Sequence, residues 1–366
     1  MWQYLIDKYY NFKSREWVYI PPTLRLDYER NIMNVLSLFD GKSSGFTACE
    51  LAGIPVTNYY SAEIDKYAIK VSNAIHPNQT RLGSVTEWRD WDVDWSSIDM
   101  IFGGFPCQAW SMAGKQLGDK DERGMLFWTM LDIMKHIRKH NPDVQFLIEN
   151  VKMKKDFEIY ITSHMEKELS MFECFGDEPQ DYLDSIYKNQ GKKPLYKTLI
   201  NSALVSAQNR NRYYWTSFPV TQPEDRGIVL ADIIEVNPES PTLSSSSLEH
   251  NSHLTFRGNQ VVSITNYKGR SKENILKNSK TIQEKSVALC GNSNITGSGV
   301  TPLDMGDGLH YRKLTPCECF RLQTTPEHYI DKILNCGVSN SQLYKIAGNG
   351  WTDEVIAHIL GGINGK

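Results

Sequence analysis

One cysteine, one glutamate and two arginines in this sequence are of the types that carry out covalent catalysis. Cys107 lies in "GGFPCQAWS", directly after the apolar run "DMIF", and Glu149 ends the apolar run "QFLIEN". Arg210 and Arg212 in "AQNRNRYYW" are two residues apart and face the same side if the backbone is extended. A thiol attacks as its thiolate, which needs a nearby positive charge or a base. These residue types on one rim would therefore suit nucleophilic catalysis.

A glycine-rich turn and an acid form a second group of candidates. The turn "FDGKSSG" at 39–45 precedes a helical pattern but lacks the GxGxxG pattern of nicotinamide enzymes. Backbone N–H groups at a helix N-terminus favour the carboxylate or phosphate of a bound cofactor. Glu63 ends the next apolar run, where an acid can accept hydrogen bonds from ribose hydroxyls. The pair predicts a nucleoside-containing cofactor, and a plain turn beside a solvated acid is the alternative.

The elements that must position these residues alternate between strand and helix patterns. Strands are predicted at 34–39, 58–64, 99–102 and 145–150, and helices at 46–54, 65–75 and 124–140. Such alternation predicts βαβ units and a parallel sheet with both faces covered. Ligands bind beyond the carboxyl ends of the strands in such sheets. The turn at 39–45, Glu63, Cys107 and Glu149 all fall at predicted strand ends, so we expect one active-site edge.

Composition places the chain among ordinary globular proteins. It has 366 residues, a net charge of −3 and 40% hydrophobic residues, without an apolar run of about 18 residues that would predict a membrane span. The start, "MWQYLIDKYY", is too polar for a secretory signal. Seven cysteines are scattered, and the close pair Cys317 and Cys319 lacks a second pair at zinc-site spacing. We therefore expect a cytoplasmic protein with free thiols, no membrane association and no metal.

An ordered series of motifs resembles the cytosine-C5 DNA methyltransferase family. The motifs are "SLFDGKSSG", "GGFPCQAWS", "IENV", "QNRNR", "RKLTPCECFRLQ" and "AGNGW". They span residues 34–219 and a C-terminal stretch that begins at "YRKLTPCECF", in the manner of bacterial and phage members with some resemblance to the de novo animal branch. The resemblance implies a bacterial or phage-encoded DNA cytosine-5 methyltransferase with a Rossmann-like α/β sheet and a smaller, irregular, β-rich target-recognition domain.

The resemblance and the composition together predict four regions. They are an N-terminal extension at 1–33, a catalytic domain at 34–219, a small target-recognition domain at 220–337 and a C-terminal helix at 338–366 that returns to the catalytic domain. The segment 111–124 resembles the catalytic loop of the family, and an ordinary connector is its alternative.

The resemblance also implies a role for each catalytic candidate. Cys107 would add to C6 of the cytosine, with Pro106 shaping the turn that presents it. Glu149, protonated or sharing a proton, would bond to N3 and the exocyclic amine. Arg212 would contact the 2-oxygen and orient Glu149, and Arg210 would support the site or a phosphate. C5 would then take the methyl group of S-adenosylmethionine, leaving S-adenosylhomocysteine.

The cofactor set implied by the family is larger and departs from its pattern at two positions. It consists of Phe39, Asp40, Gly41, Lys42, Ser43, Ser44, Glu63, Ile64, Ser84, Pro106, Leu126, Asn349, Gly350 and Trp351. The family often has an aspartate where this chain has Ser84. It usually has a serine where this chain has Gly350, so this chain lacks the family's usual side chain at both positions.

A basic segment is the candidate nucleic-acid interface. Residues 250–300 contain seven Lys or Arg against two acids, in an otherwise acidic chain. A solvated loop and a surface that attracts a polyanion are both compatible with this charge. With the resemblance, the segment becomes the candidate region for target recognition, and its phosphate contacts are assigned to Arg257, Lys268 and Arg270. Double-stranded DNA is the expected partner, with base flipping, and a separate restriction endonuclease acting on the same DNA fits a restriction–modification setting.

Two other functions are kept as alternatives. One is a tRNA cytosine-5 methyltransferase, although the Cys-Phe-Thr signature of that branch is absent from the sequence. The other is a catalytically silent DNA-binding regulator, which would have no reason to keep Cys107, Glu149 and Arg212 together.

Overall fold

A computed structural model describes most of the chain. The described residues are 32–106, 122–174, 176, 178–235, 284–289 and 314–363, together with the backbone of short strands at 8–11, 16–19, 256–257, 260–261, 280–281, 302–304 and 311–313. The strands are β1 Lys8–Asn11, β2 Glu16–Tyr19, β3 Met33–Leu38, β4 Val56–Ala62, β5 Thr80–Arg81, β6 Met100–Gly103, β7 Gln145–Val151, β8 Met171–Cys174, β9 Lys193–Asn201, β10 Gln208–Asn209, β11 Asn211–Thr216, β12 Phe256–Arg257, β13 Gln260–Val261, β14 Lys280–Thr281, β15 Ser286–Val287, β16 Pro302–Asp304 and β17 Tyr311–Lys313. The helices are α1 Ser44–Leu51, α2 Lys66–Ile75, α3 Glu122–His140, α4 Lys155–Glu168, α5 Gln180–Gln190, α6 Leu230–Ile233, α7 Pro316–Leu322, α8 Glu327–Asn335, α9 Asn340–Asn349 and α10 Asp353–Gly361.

An eight-stranded sheet organises the protein, in the order β5-β4-β3-β6-β7-β11-β9-β8. Strands β3 to β7 are mutually parallel, as the alternating pattern predicts. Strand β11 runs antiparallel to both of its neighbours, β7 and β9. The predicted parallel sheet is therefore confirmed for the four predicted strands. Strand β5, which was not predicted, is a fifth parallel strand, and β11, β9 and β8 extend the sheet on the other side.

Both faces of the sheet are buried, because its central strands are apolar at successive positions. Phe146 and Ile148 of β7 belong to a core formed with α3 and α4, whereas Leu147 belongs to a core formed with α1 and α10. Phe146, Leu147 and Ile148 are each 0% exposed. Two-sided burial explains why this strand reads as a continuous apolar run rather than an alternating one.

A third core joins the C-terminal part of the chain to α2. Phe320 of α7, Ile330 of α8 and Leu343 of α9 pack together with Val71 of α2. Thus α7 and α8, which lie inside the range predicted for the small domain, contact the sheet domain.

The C-terminal region contains two helices where the sequence pattern predicted one. Helix α9 ends at Asn349, and α10 starts at Asp353 after an extended Gly350, with φ −68° and ψ 162°. A Cβ at Gly350 would lie 3.1 Å from the carbonyl oxygen of Ile346. The close approach to the end of α9 therefore favours glycine at the break, and the new direction places Trp351 at the sheet edge.

Short strands occur in two regions that were assigned from the sequence, the extension 1–33 and the basic segment 250–300. Strands β1 and β2 form an antiparallel pair within the extension 1–33, and β12 with β13 forms another in the basic segment. Strands β14, β16 and β17 form a small mixed sheet. Among the described helices, none is long and apolar enough to cross a membrane.

Candidate active site

The register of the parallel strands brings four candidate positions to one edge. Leu38 at the end of β3 pairs with Ala62 of β4 and with Gly103 of β6, and Gly103 pairs with Ile148 of β7. The next residues along these strands lie side by side at the carboxyl edge of the sheet: Phe39, Glu63, Gly104 and Glu149. This is the edge at which the sequence predicted an active site.

Glu149 is 8% exposed, and one of its carboxylate oxygens forms an ion pair while the other accepts a hydrogen bond. Arg212 Nε lies 2.9 Å from Oε1, and the indole Nε1 of Trp351 donates to Oε2 at 3.1 Å. The antiparallel register pairs Tyr214 with Glu149, so Arg212, two residues earlier, is a diagonal neighbour on the same face. The structure thus brings Arg212 and Glu149 together.

The other predicted arginine has different partners. Arg210 is 3% exposed and donates to the carbonyl oxygens of Leu289 at 2.9 Å, Gly350 at 2.9 Å and Gly348 at 3.3 Å. Arg210 lies between β10 and β11 and not within one continuous strand. The expectation that Arg210 and Arg212 face the same side, which assumed one extended strand, therefore does not apply. The guanidinium group of Arg210 binds the backbone around the α9–α10 break.

The chain that leads to the cysteine is held next to Glu149. Asn150 Nδ2 donates to the carbonyl oxygen of Phe105 at 3.0 Å, and Asn150 is buried. Pro106 follows and is half-buried, whereas Cys107 lies outside the described residues. Asn150 thereby ties the end of β7 to the segment that enters the Pro-Cys turn.

The glycine-rich turn has the backbone of a ligand-binding loop. Phe39, Gly41 and Ser43 all have left-handed backbone, with φ of 59°, 61° and 64°. Non-glycine residues in this region are costly, and such strain is concentrated at functional sites. The turn therefore has a fixed, unusual shape immediately before α1.

Glu63 is anchored by this turn and by its own neighbours. Its Oε2 accepts from the backbone N–H of Gly41 at 2.8 Å, and its Oε1 accepts from those of Ile64 and Asp65, each at 2.7 Å. The side chain of Ile64 is 75% exposed beside it. An oriented carboxylate next to an exposed apolar side chain suits a ligand that combines hydroxyl groups with an apolar ring.

Three members of the predicted cofactor set, Asp40, Lys42 and Ser43, have side chains that point into the protein. Asp40 accepts hydrogen bonds from three hydroxyl groups, at 2.5–2.7 Å, those of Ser43, Tyr59 and Ser61. Lys42 Nζ donates to Asp353 of α10 at 2.7 and 2.8 Å, and both side chains are 0% exposed. Asp40, Lys42 and Ser43 can therefore reach a ligand through their backbone, while their side chains hold the turn in place.

The remaining predicted cofactor residues lie in varied environments. Ser84 is half-buried and caps the 3₁₀ helix Val85–Asp90 by accepting from Thr86 N at 3.2 Å. Leu126 is half-buried and packs, like Phe39, against the core under α3. Ser44 is buried, Asn349 is exposed and Gly350 is buried at the α9–α10 break. These described residues are not joined to one another by side-chain contacts such as those that join Glu149 to Arg212 and Trp351.

Sequence reasoning did not single out Gln323, which organises the region behind Trp351. Its Nε2 donates to the carbonyl oxygens of Ala347 at 2.5 Å and Gly350 at 3.3 Å, and its Oε1 accepts from Thr352 Oγ1 at 3.1 Å. Gln323 is 0% exposed. In the sequence, this glutamine directly follows the apolar positions of "CFRLQ", which is a signal that it could be buried. A buried amide must find hydrogen-bond partners, so this signal could have identified it as an organising residue.

Four of the five described cysteines are buried and are poor nucleophiles. Cys49, Cys174, Cys317 and Cys319 are buried. Burial raises the pKa of Cys174 to about 11 and that of Cys317 to about 12. At neutral pH these thiols are protonated, and the thiolate is the reactive form.

The structure describes little of the three predicted phosphate-contacting residues. Lys268 and Arg270 lie outside the described residues, and for Arg257 only the backbone of β12 is described. Within the described part of the chain, no cluster of three or more His, Cys, Asp or Glu side chains could hold a metal ion.

Comparison with known proteins gives the same assignment as the motifs. The chain is 26% identical over 330 residues to the type II methyltransferase M.NlaX of Neisseria lactamica, covering 87% of this chain and 92% of that protein. It is 24% identical to the orphan methyltransferase M.SPRI of Bacillus phage SPR, covering 90% of this chain and 96% of that protein. The crystal structure of the S. pombe Dnmt2 methyltransferase shares the fold, with a TM-score of 0.58, 17% identity and coverage of 90% and 97% of the two chains.

The decisive match is to a family model. The model for the C-5 cytosine-specific DNA methylase matches residues 33–364, almost the whole chain. The resemblance inferred from the ordered motifs is confirmed. The protein therefore belongs to the C-5 cytosine-specific DNA methylase family and is a DNA cytosine-5 methyltransferase.

Proposed function

We propose that this enzyme methylates a flipped cytosine of double-stranded DNA by covalent catalysis, with Cys107 as the nucleophile. The observation that carries the proposal is the Glu149 carboxylate, held between Arg212 and Trp351 at the carboxyl edge of the sheet. A carboxyl and a guanidinium group at this edge can bind the N3, exocyclic amine and 2-oxygen of one pyrimidine. The nucleophile belongs on the adjoining turn, which starts at Pro106.

The chain's own residues divide the chemistry as follows. The Cys107 thiolate forms a bond to C6 of the ring, and the electron pair of the C5–C6 double bond becomes available at C5. Glu149 donates a hydrogen bond or a proton at N3, which draws electrons into the ring and favours the addition. Once C5 carries the methyl group, its proton leaves, the double bond re-forms and the C6–S bond breaks, returning Cys107.

The described residues fit S-adenosylmethionine. That compound supplies an electrophilic methyl group when it is bound. Glu63 presents an anchored carboxylate for ribose hydroxyls, and the exposed Ile64 offers an apolar contact for the adenine. The turn at 39–44 precedes the N-terminus of α1, which favours a carboxylate group. Leu126, Asn349 and Trp351 would complete the pocket.

Base flipping follows from the position of the reacting atoms. C6 and N3 of cytosine are stacked and paired inside a duplex, so the base must leave the helix to meet Cys107 and Glu149. Segment 111–124, of which residues 111–121 lie outside the described residues, is proposed to close over the flipped base. Arg257, Lys268 and Arg270 in the basic segment are proposed to contact phosphates, which position a duplex without reading its sequence.

The test is methyl transfer from labelled S-adenosylmethionine to unmethylated duplex DNA, with structured tRNA in parallel and bisulfite sequencing of the product. We expect label at C5 of cytosine within one short DNA motif. Label confined to tRNA would replace the DNA proposal with the tRNA alternative. Tight DNA binding without any label would indicate the silent regulator.

The same product tests the proposed setting. The type II name of the Neisseria relative favours a companion endonuclease that acts separately on the same site. Methylated plasmid would then resist cleavage by an endonuclease specific for the motif found by sequencing. Cleavage of fully methylated plasmid would exclude a protective role at that motif.

A further inference from the structure

We propose that Trp351 is a positioning residue for Glu149, in addition to any contact that it makes with the methyl donor. Its indole N–H fixes one carboxylate oxygen while Arg212 fixes the other, so the carboxyl group is oriented before the base arrives. This inference rests on the proposed function, in which Glu149 binds the target cytosine.

The geometry restricts the carboxylate in two directions. Oε1 lies 2.9 Å from Arg212 Nε on β11, and Oε2 accepts from Trp351 Nε1 at 3.1 Å, from the α9–α10 break. Indole and guanidinium groups donate hydrogen bonds and cannot accept them. A rotation of the carboxyl group would therefore break the indole hydrogen bond and the ion pair together. Each oxygen keeps a further lone pair, one to carry the proton donated at N3 and one to accept from the exocyclic amine.

The backbone of the Pro-Cys turn is shaped for this contact. A Cβ at Gly104 would lie 3.1 Å from the indole nitrogen of Trp351 and 3.6 Å from Glu149 Oε2. The first distance is tighter than ordinary van der Waals contact, so a side chain there would move the indole. Glycine at 104, three residues before the predicted nucleophile, thus lets the indole reach the carboxylate.

Contacts to the preceding backbone and to the ring fix the position of Trp351. The carbonyl oxygen of Gly350 accepts from Arg210 at 2.9 Å and from Gln323 at 3.3 Å, and both donors are buried. The indole packs edge-on against Phe102 of β6, with ring centroids 6.1 Å apart. The ring is therefore supported by its own backbone and by the sheet, as a positioning residue requires.

An exchange reaction that needs no methyl donor distinguishes the positioning of Glu149 by Trp351 from a role of Trp351 in cofactor binding. When a thiolate adds to C6, C5 can take a proton from water; loss of the original C5 hydrogen and cleavage of the C6–S bond then restore cytosine. Release of tritium from [5-³H]cytosine in DNA therefore reports Cys107 and Glu149 without S-adenosylmethionine. A residue that only binds the cofactor would not affect it.

The experiment compares three variants in this exchange assay and in methyl transfer. Trp351→Phe removes the indole N–H, and we expect a roughly tenfold to hundredfold slower exchange at saturating DNA, with KM for DNA changed by less than about threefold. Trp351→His returns an N–H on a ring and should recover part of the rate. Trp215→Phe is the matched control, because it removes an indole hydrogen bond to Thr162 Oγ1 elsewhere in the sheet.

The outcomes are distinct. Wild-type exchange rates in folded Trp351→Phe, with a raised KM for S-adenosylmethionine in methyl transfer, would overturn the positioning role. Equal loss in Trp351→Phe and Trp215→Phe would also overturn it, since general destabilisation would explain both. Absence of exchange and methylation in the wild-type enzyme would instead contradict the proposed function.

Discussion

Glu63 follows the apolar strand β4 and Glu149 lies near the end of β7, and each carboxylate contacts at least one group from a distant part of the chain. Their residue type and their place at a strand end are visible in the sequence. The partner of Glu149 on the α9–α10 break is not, because Trp351 is 202 residues away. Lys42 illustrates the same limit: its motif suggested a ligand contact, but its partner Asp353 is 311 residues further along and buries it. Local pattern predicts position, and tertiary contacts decide where a side chain points.

His76 provides a pH-dependent prediction at this scale. It is buried between Phe46, with ring centroids 4.4 Å apart, and Tyr329, and its Nε2 lies 2.9 Å from Thr47 Oγ1. Burial lowers its pKa to about 3, and the nearby Lys42, Lys332, Arg81 and His328 act in the same direction. Glu50, at 3.8 Å from Nδ1, is the facing acid, and burial raises its pKa.

The folded protein becomes less stable at acidic pH because the unfolded chain binds a proton at His76 that the folded protein does not bind. Between about pH 6.5 and about pH 3 the unfolded chain protonates His76 and the folded protein does not, so stability falls as pH falls. From pH 7 to pH 5 we expect the wild-type protein to lose about 2 kcal/mol more than His76→Gln. Urea unfolding followed by tryptophan fluorescence at both pH values measures this. Parallel losses in the two proteins would show that His76 does not titrate on unfolding.

At the scale of elements, the sequence pattern located the parallel strands and their helices to within a few residues. The predicted strand 145–150 is β7 Gln145–Val151, and the predicted helix 124–140 is α3 Glu122–His140. The antiparallel β11 was not predicted as part of the sheet, because "NRYYWT" carries no signal for strand direction. Its direction nevertheless sets the site, since the β7–β11 register makes Arg212 a neighbour of Glu149.

The joint between the glycine-rich turn and α10 leads to a prediction on stability. Lys42 and Asp353 form an ion pair in which both side chains are 0% exposed, and Thr325 Oγ1 also donates to Asp353 at 2.9 Å. Removing one partner leaves an uncompensated buried charge, which costs about 3–5 kcal/mol. We expect Lys42→Met to lower the free energy of unfolding by that amount.

The double variant supplies the control. Lys42→Met combined with Asp353→Asn removes both charges, so we expect it to regain much of the stability lost in the single variant. Urea unfolding of the wild type, both single variants and the double variant gives the coupling between the two side chains. Additive effects would show that Lys42 and Asp353 do not stabilise each other.

At the scale of the whole molecule, the C-terminal segment closes the site that the N-terminal strands begin. Helix α10 packs against α1, and α7 to α9 share a core with α2. Arg210 links this assembly to Leu289, which lies within the basic segment 250–300. The resemblance and the composition together predicted four regions, but they did not predict this packing, because the contacts join segments far apart in the chain.

The most direct test of the account is a trapped covalent complex. In duplex DNA that carries 5-fluorocytosine at the target position, fluorine cannot leave C5 as a proton does, so the bond between the thiol and C6 should persist after methyl transfer. We predict that mass spectrometry of the digested complex finds the nucleotide on the peptide containing Cys107, and that Cys107→Ser forms no adduct and does not methylate DNA. An adduct on another cysteine, or methylation by Cys107→Ser, would contradict the central claim.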